Sequence, residues 1–530
     1  VTETSSNTTR DPLHSPSTAE QRSPENVATS AGRGGLAVAV AKLYFLVVGL
    51  VQQILLTRVL GTAGYGALST ALSISAVVYN PIVTTSIQGV SRTVAQCDER
   101  EKPSAIRRVL LIHAKFAVPI AAIFFVFAGP IVQLVHAPHL VGPVRVLALV
   151  LLCYGLYAPL IGIFNGRRKF VWQAGFDMAY ATLRTALMVG GAYLFARLYD
   201  SGVLGASLGF ACASALIALA ALPLAGIGRR GTAGPGLRQY LVFVGPVFVG
   251  QVLLNLLQQA DLTVLRYFAA SSAIAAGLAP ERADALVGAY RATQLFCFLP
   301  YQLLLSITFV LFPLLAKAHR DRNHADVKLF VMTGIRLAVI ISGLMVSVIS
   351  GLSGPLLRLV FPQDVAGYAT QSMQLLALGF GAFAIFGILT TVLTSLERER
   401  SSAAITGLAF LLVSILGAVL LRARPFDASL LFRTAIATST GLLLATLVAA
   451  HRVHRHAGGV VSGWTLLRGV AAIAVTVTLG RIWSPEGKLA TLGAAAVLGA
   501  LHVGLLVALR ELTTKDLGQV LSVLRGRRAS

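Results

Sequence analysis

Residues 36–57 read LAVAVAKLYFLVVGLVQQILLT, twenty-two positions with a single charge, Lys42. An apolar run of that length spans the hydrocarbon core of a bilayer when it folds as an α-helix. Comparable runs recur almost to the end of the chain, the last at 488–509. There are about fourteen of them. Their continuity excludes a membrane β-barrel, whose strands alternate apolar and polar positions. The whole composition agrees: 530 residues, 56% hydrophobic and 12% charged, with a mean hydropathy of +0.77. The fold class is therefore an all-α polytopic membrane protein.

The formal net charge is +23. In a soluble chain such an excess points to nucleic acid. Here the basic residues crowd alternate loops, as at Arg167 to Lys169, Arg229 with Arg230, Lys317 to Lys328, and the Arg-rich C-terminus. The intervening loops carry far fewer. That alternation is the positive-inside pattern of a multi-pass protein of the cytoplasmic (inner) membrane. It predicts an even number of spans with both termini cytoplasmic, and no nucleic-acid partner. Residues 1–34 lack an apolar run and are rich in Ser, Thr and Pro, so they read as a disordered tail. Residues 511–530 read as a basic cytoplasmic tail.

The spans also repeat. The first carries GlnGlnIleLeuLeuThr at 52–57 and the seventh GlnGlnAlaAspLeuThr at 258–263. Each precedes a Gly- and Tyr-containing start to the next span, at 64–66 and 288–290. Six spans separate the copies, which predicts two six-helix lobes related by a pseudo-twofold along the membrane normal. The expected division is an N-lobe over 35–228, a C-lobe over 229–456, and an extra helix pair over 457–510.

Charges inside the spans carry the functional signal. They are Lys42, Lys115, Arg184, Arg291, Arg336, Arg433 and Arg468, against Asp177 and Asp261. A charge at the bilayer centre costs about 2.5–3.5 kcal/mol or more, so such residues face a cavity or a partner. Lys115, Arg433 and Arg468 lie near span ends, where long side chains snorkel. A cationic cavity built from Lys42, Arg184, Arg291 and Arg336 would receive an anion. Polar stripes at helical spacing add Gln53, Asn80, Gln88, Asn255, Gln258, Gln259 and Gln294; such stripes either line water or bond neighbouring helices. Asp261 and Asp177 are the acids available for ion coupling or gating. Asp261 and Arg291 fall at similar depth, which fits a salt bridge as well as a gate. Pro81 and Pro300 remove backbone hydrogen bonds inside their spans and predict kinks.

Chemistry other than transport finds no support. There is no P-loop, GxSxG or HExxH pattern. Cys97, Cys153, Cys212 and Cys297 are scattered, without metal-ligand spacing. No catalytic residue, metal or cofactor is expected.

The stretch TRVLGTAGYGALS at 57–69, followed by SIQGVSRTVA at 86–95, resembles the start of polysaccharide flippases of the multidrug/oligosaccharidyl-lipid/polysaccharide (MOP) exporter superfamily. The residues that carry it are Arg58, Leu60, Gly61, Tyr65, Gly66, Ser91, Arg92 and Ala95. LIGIFNGRRKF at 160–170 and VLFPLLA at 310–316 extend it. The resemblance implies translocation of an undecaprenyl-pyrophosphate-linked oligosaccharide, for O-antigen or exopolysaccharide assembly, by rocking of two lobes. It also implies a possible complex with a polymerase or glycosyltransferases. The extra helix pair is similar to that of lipid II flippases. Three other readings are a lipid II flippase, a multidrug antiporter of the same superfamily and a non-transporting scaffold of a glycan-synthesis complex. The cationic positions do not map onto the arginine set of lipid II flippases, and the antiporter fits poorly with a cationic interior and no acid in the first span.

Overall fold

The computed structural model describes residues 24–231, 234–483 and 485–512. Every regular element among them is helical. The first helix, α1 (Pro24–Gln96), is bent at Gly61, whose φ of 67° and ψ of 176° divide it into two arms. A left-handed φ carries little penalty only for glycine, so this residue turns the chain where a short loop was expected. Pro81 lies within the second arm without a comparable break.

Five helices follow: α2 (Lys102–Leu134), α3 (Val141–Gly166), α4 (Phe170–Tyr199), α5 (Gly202–Ala225) and α6 (Leu237–Ala275). The eighth expected span is two helices, α7 (Ala283–Cys297) and α8 (Leu299–Arg320), interrupted at Phe298. Pro300 occupies the first turn of α8. There its missing N–H is not needed, so the proline starts a helix rather than kinking one. Then come α9 (His324–Gly351), the short α10 (Ser353–Val360), α11 (Gln363–Ser395), α12 (Glu399–Leu421), α13 (Ser429–Ala457), α14 (Gly463–Ile482) and α15 (Lys488–Ala508).

Eleven helices among the described residues are long and apolar enough to cross a membrane. The expected count of about fourteen takes the two arms of α1 as separate crossings and includes α4 and the α7–α8 pair. Two tail expectations need correction or fall outside. Residues 24–34 continue α1 as helix, starting at Pro24, a residue preorganised for a first turn. Residues 1–23 and 513–530 lie outside the described residues.

Helix pairing repeats along the chain. In the first half α4 packs on α5, α3 on α5, α2 on α3, and α1 on both α3 and α4. In the second half α12 packs on α13, α11 on α13, α9 on α11, α7 and α8 on α11, and α6 on α12. Two apolar cores result, one running from Leu56 to Val244 and the other from Leu257 to Leu498. The first turns of α6, through Tyr240 and Val244, join the first core. The helix that opens the second half is thus shared between both.

The pair α14–α15 packs on α9. Ser347 Oγ and His502 Nδ1 lie 2.9 Å apart across that contact. Beyond α15, Glu511 is 3% exposed and receives three groups. Arg336 Nε donates to its Oε1 at 2.9 Å, Thr465 Oγ1 to the same oxygen at 2.9 Å, and Arg468 Nη1 to Oε2 at 3.3 Å. Replacing Glu511 with Ala leaves two guanidiniums without their carboxylate. Losing hydrogen bonds to a charged group costs about 1.5–3 kcal/mol each. Glu511→Ala is expected to lower the thermal unfolding midpoint of the purified chain measurably, and Glu511→Gln to lower it less.

Candidate functional site

The two halves meet along the second arm of α1, which contacts α6 and α7. Towards one end of this seam, Arg92 stacks on the Phe243 ring at 4.0 Å. Tyr240 lies over Gly89 there, and its hydroxyl is 2.7 Å from His113 Nε2. His113 Nδ1 in turn meets Ser86 Oγ at 3.1 Å. Farther along, Asn80 Nδ2 donates to Asn255 Oδ1 at 2.8 Å, and Asn255 Nδ2 to the Gln251 carbonyl at 2.9 Å. This is one predicted pair of polar residues that the fold joins directly.

At the other end α1 and α7 touch backbone to backbone. A Cβ on Gly66 would sit 1.9 Å from the Asp284 carbonyl oxygen, and one on Gly288 would sit 2.0 Å from that of Thr62. Only glycine permits that approach. Beside it, fully buried Arg266 ties the halves together. Its Nη1 lies 3.2 Å from Asp284 Oδ1, and its Nη2 donates to the His136 carbonyl at 2.9 Å. His139 Nε2 is 2.9 Å from Asp284 Oδ2.

Between these ends lie the ionisable groups. Asp261 on α6 is 3% exposed. Its Oδ2 accepts from Tyr290 Oη at 3.0 Å and from Gln294 Nε2 at 2.8 Å, and its Oδ1 from the Leu262 N–H at 2.8 Å. A buried carboxylate is tolerated when donors surround it in this way. Arg291 forms no direct pair with Asp261. Its Nη1 donates to Gln294 Oε1 at 2.9 Å, so the amide relays between the two charges. Arg291 also lies beside the buried Tyr65 hydroxyl of α1.

The first half supplies Arg184 on α4. Its guanidinium lies 5.0 Å from the Phe210 ring centre and beside Tyr79, Tyr154 and Tyr180. Cation–π contacts contribute about 2 kcal/mol when desolvated. They do not satisfy Nε, which has no partner among the described residues. Tyr79, on the second arm of α1, lies within the electrostatic reach of both Arg184 and Arg291. One cation from each half thus lies within electrostatic reach of a single tyrosine.

Other expected site residues are placed differently. Lys42 Nζ is 3.1 Å from Asp177 Oδ2, an ion pair between α1 and α4. Lys42 is thereby matched by a carboxylate, and Asp177 by an ammonium. Arg336 belongs to the Glu511 cluster, away from the seam, because the chain after α15 folds back onto α9. Gln294 is a relay. Gln259 is buried with its Oε1 unpaired, Gln258 lies beside Asp261 and Tyr301, and Gln53 is half-buried. Gln88 is exposed.

Sequence reasoning passed over Arg266, Asp284 and the tyrosines. Arg266 follows Asp261 by five positions, close to the end of its span, and Asp284 lies just outside its span. A polar side chain every turn from Gln251 to Arg266 was the available signal for the former. The tyrosines carried none, since aromatic residues are ordinary in apolar spans.

The chain is thus a helical membrane bundle of two halves with charged groups gathered at the seam between them. The family model described as "Polysaccharide biosynthesis protein" matches residues 31–319, and the chain belongs to that family. No curated protein matches the chain. Among solved structures, the chain is similar in fold to lipid II flippase MurJ in an inward closed conformation. The TM-score is 0.73 at 13% identity, covering 90% of this chain and 99% of that one. A MOP-superfamily transporter from Pyrococcus furiosus, described by a reverse polarity of its binding pocket, gives 0.57 at 16% identity, covering 84% and 96%. An outward-facing multidrug resistance transporter of the MATE family gives 0.56 at 15%, with the same coverage.

Proposed function

We propose that the chain translocates an undecaprenyl-pyrophosphate-linked oligosaccharide across the bacterial cytoplasmic membrane during surface polysaccharide assembly. The observation that carries the reading is a buried cation from each half, Arg184 over the Phe210 ring and Arg291 on Gln294, both within electrostatic reach of Tyr79. Arg184 has no carboxylate partner among the described residues and an unpaired buried Nε. A buried guanidinium held by aromatic rings and a tyrosine but by no carboxylate keeps its charge unneutralised, and a ligand phosphate is the group that would neutralise it. Rocking of the halves about the glycine contact would expose the cations to each side in turn. The neighbouring tyrosines and the Asn80–Asn255 pair offer the stacking faces and hydrogen bonds that sugars use. Asp261 is the acid placed for ion coupling, through Gln294 to Arg291. The repeating helix pairing supports lobes over 35–228 and 229–456 that move as units.

The test is leaflet exchange in proteoliposomes. Labelled undecaprenyl-pyrophosphate oligosaccharide, a lipid II analogue and a cationic drug are compared. The oligosaccharide is expected to cross at least tenfold faster than in protein-free vesicles. Preferential movement of lipid II or drug would reassign the substrate, and movement of none would return the scaffold reading. Asp261→Asn is expected to abolish any acceleration by an imposed proton or sodium gradient while leaving substrate binding in place. A gradient response equal to that of the unsubstituted chain would exclude Asp261 from coupling.

A further inference from the structure

Outside the seam, an apolar groove of about 400 Å³ opens between α2, α3 and α5. Its walls include Leu110, Leu111, Leu156, Pro159, Leu219 and Leu222, and one polar side chain at its rim is Arg107. The chain beyond α5 closes that rim. Ile227 lines the groove, and two residues on the Arg229 N–H donates to the Pro103 carbonyl at 3.0 Å, fixing Arg229 and Arg230 beside the start of α2. Arg167 Nη1 donates to the Ala225 carbonyl at 2.9 Å, which brings a further guanidinium to the end of α5. An apolar slot therefore has Arg107 in its lining and further arginines on the segments that meet at one end of it.

In the other half α9 is covered by α14 and α15. Its counterpart in the pairing pattern, α2, leaves Leu111, Phe116 and Val118 exposed. The groove is thus a place where lipid, rather than protein, completes the surface. Its volume suits one acyl chain and only a fraction of a long prenyl chain. His113 forms part of its wall and also holds Ser86 and Tyr240 at the seam, so whatever fills the groove bears on the position of α2 under Tyr240.

We infer that this groove holds one acyl chain of an anionic phospholipid whose phosphate rests on Arg107 and its neighbouring arginines. Arginines at the membrane surface attract a lipid phosphate, and the apolar walls receive its chain without exposing it to water. The inference is independent of the transported substrate. Native mass spectrometry of the full chain in detergent tests it, with phosphatidylglycerol, phosphatidylcholine and inorganic phosphate as separate additions. Phosphatidylglycerol is expected to bind at least tenfold more tightly than phosphatidylcholine, and inorganic phosphate not to compete. Arg107→Gln should weaken phosphatidylglycerol at least tenfold. Ala218→Phe, which fills the groove without changing charge, should weaken it as much. Arg197→Gln, beside Tyr193 on α4, should leave it unchanged. Equal binding of both lipids, competition by free phosphate, or unaltered binding in Ala218→Phe would each overturn the inference. Should Arg107→Gln fail to fold, Ala218→Phe alone decides.

Discussion

Arg184→Gln and Arg291→Gln should each lower transport of the lipid-linked pyrophosphate about ten- to a hundredfold at subsaturating substrate. Charge-assisted hydrogen bonds to a phosphate contribute about 1.5–3 kcal/mol, and 1.4 kcal/mol is a factor of ten. The stability response separates this prediction from a merely structural role. Arg184 has aromatic neighbours but no carboxylate, and its Nε is unpaired. Tyrosines rather than a carboxylate hold Arg184, so Arg184→Gln should shift the unfolding midpoint only slightly. Arg291 is hydrogen-bonded to Gln294, so its removal should lower the midpoint slightly. If both cations grip one pyrophosphate, the double variant should lose less than the product of the single losses, because removing either already breaks the shared grip. Arg184→Lys should not rescue fully, since an ammonium lacks the planar fork. Transport at the unsubstituted rate in the double variant would remove the cavity hypothesis. So would losses that track a collapse in stability.

The helical, two-fold character of the chain was legible because hydrophobic periodicity and length act locally. A run such as 36–57 must find a bilayer or a large apolar core, whatever its neighbours do. The repeated GlnGln motifs at 52–57 and 258–263 reflected a pairing pattern that the helices reproduce. Partners were a different matter. Lys42 and Asp177 lie 135 positions apart, and Arg336 and Glu511 lie 175 apart. No periodicity announces that they meet. The sequence therefore offered Lys42, Arg184, Arg291 and Arg336 for one cavity, where the fold distinguishes two matched by carboxylates from two within electrostatic reach of Tyr79. Prolines misled for a related reason. Pro300 could be read as a kink only if the helix ran through it, whereas α8 begins there. The real bend fell at Gly61, within a motif noted for its family resemblance rather than its geometry.

Buried ties at the glycine end of the seam hold the two halves together. Asp284 bonds His139 across the seam and Arg266 within its own half, while Arg266 reaches the His136 carbonyl. These polar contacts need a small separation to form, and the glycine pair supplies it.

Gly66→Val should therefore open this end of the seam. Its Cβ would lie 1.9 Å from the Asp284 carbonyl and 2.6 Å from the Gly288 nitrogen, both backbone atoms that no rotamer change can move. Overpacking of side chains costs about 1–3 kcal/mol, and a clash with backbone exceeds what side-chain repacking relieves. The helices must part, and Asp284 then loses its alignment with His139. The readout is thiol labelling at Ser69→Cys, a buried position one turn further along α1, in a chain whose four native cysteines are replaced. Labelling by a water-soluble reagent should speed up at least tenfold in Gly66→Val, and transport should fall by a similar factor because the closed state is no longer reached. Gly49→Val is the matched control, since a Cβ there meets nothing within 4 Å. It places the same side chain on the other arm of the same helix and should leave both rates unchanged. Equal labelling in the two variants would show that the seam tolerates a side chain at Gly66, and that lobe closure does not depend on the backbone contact with α7.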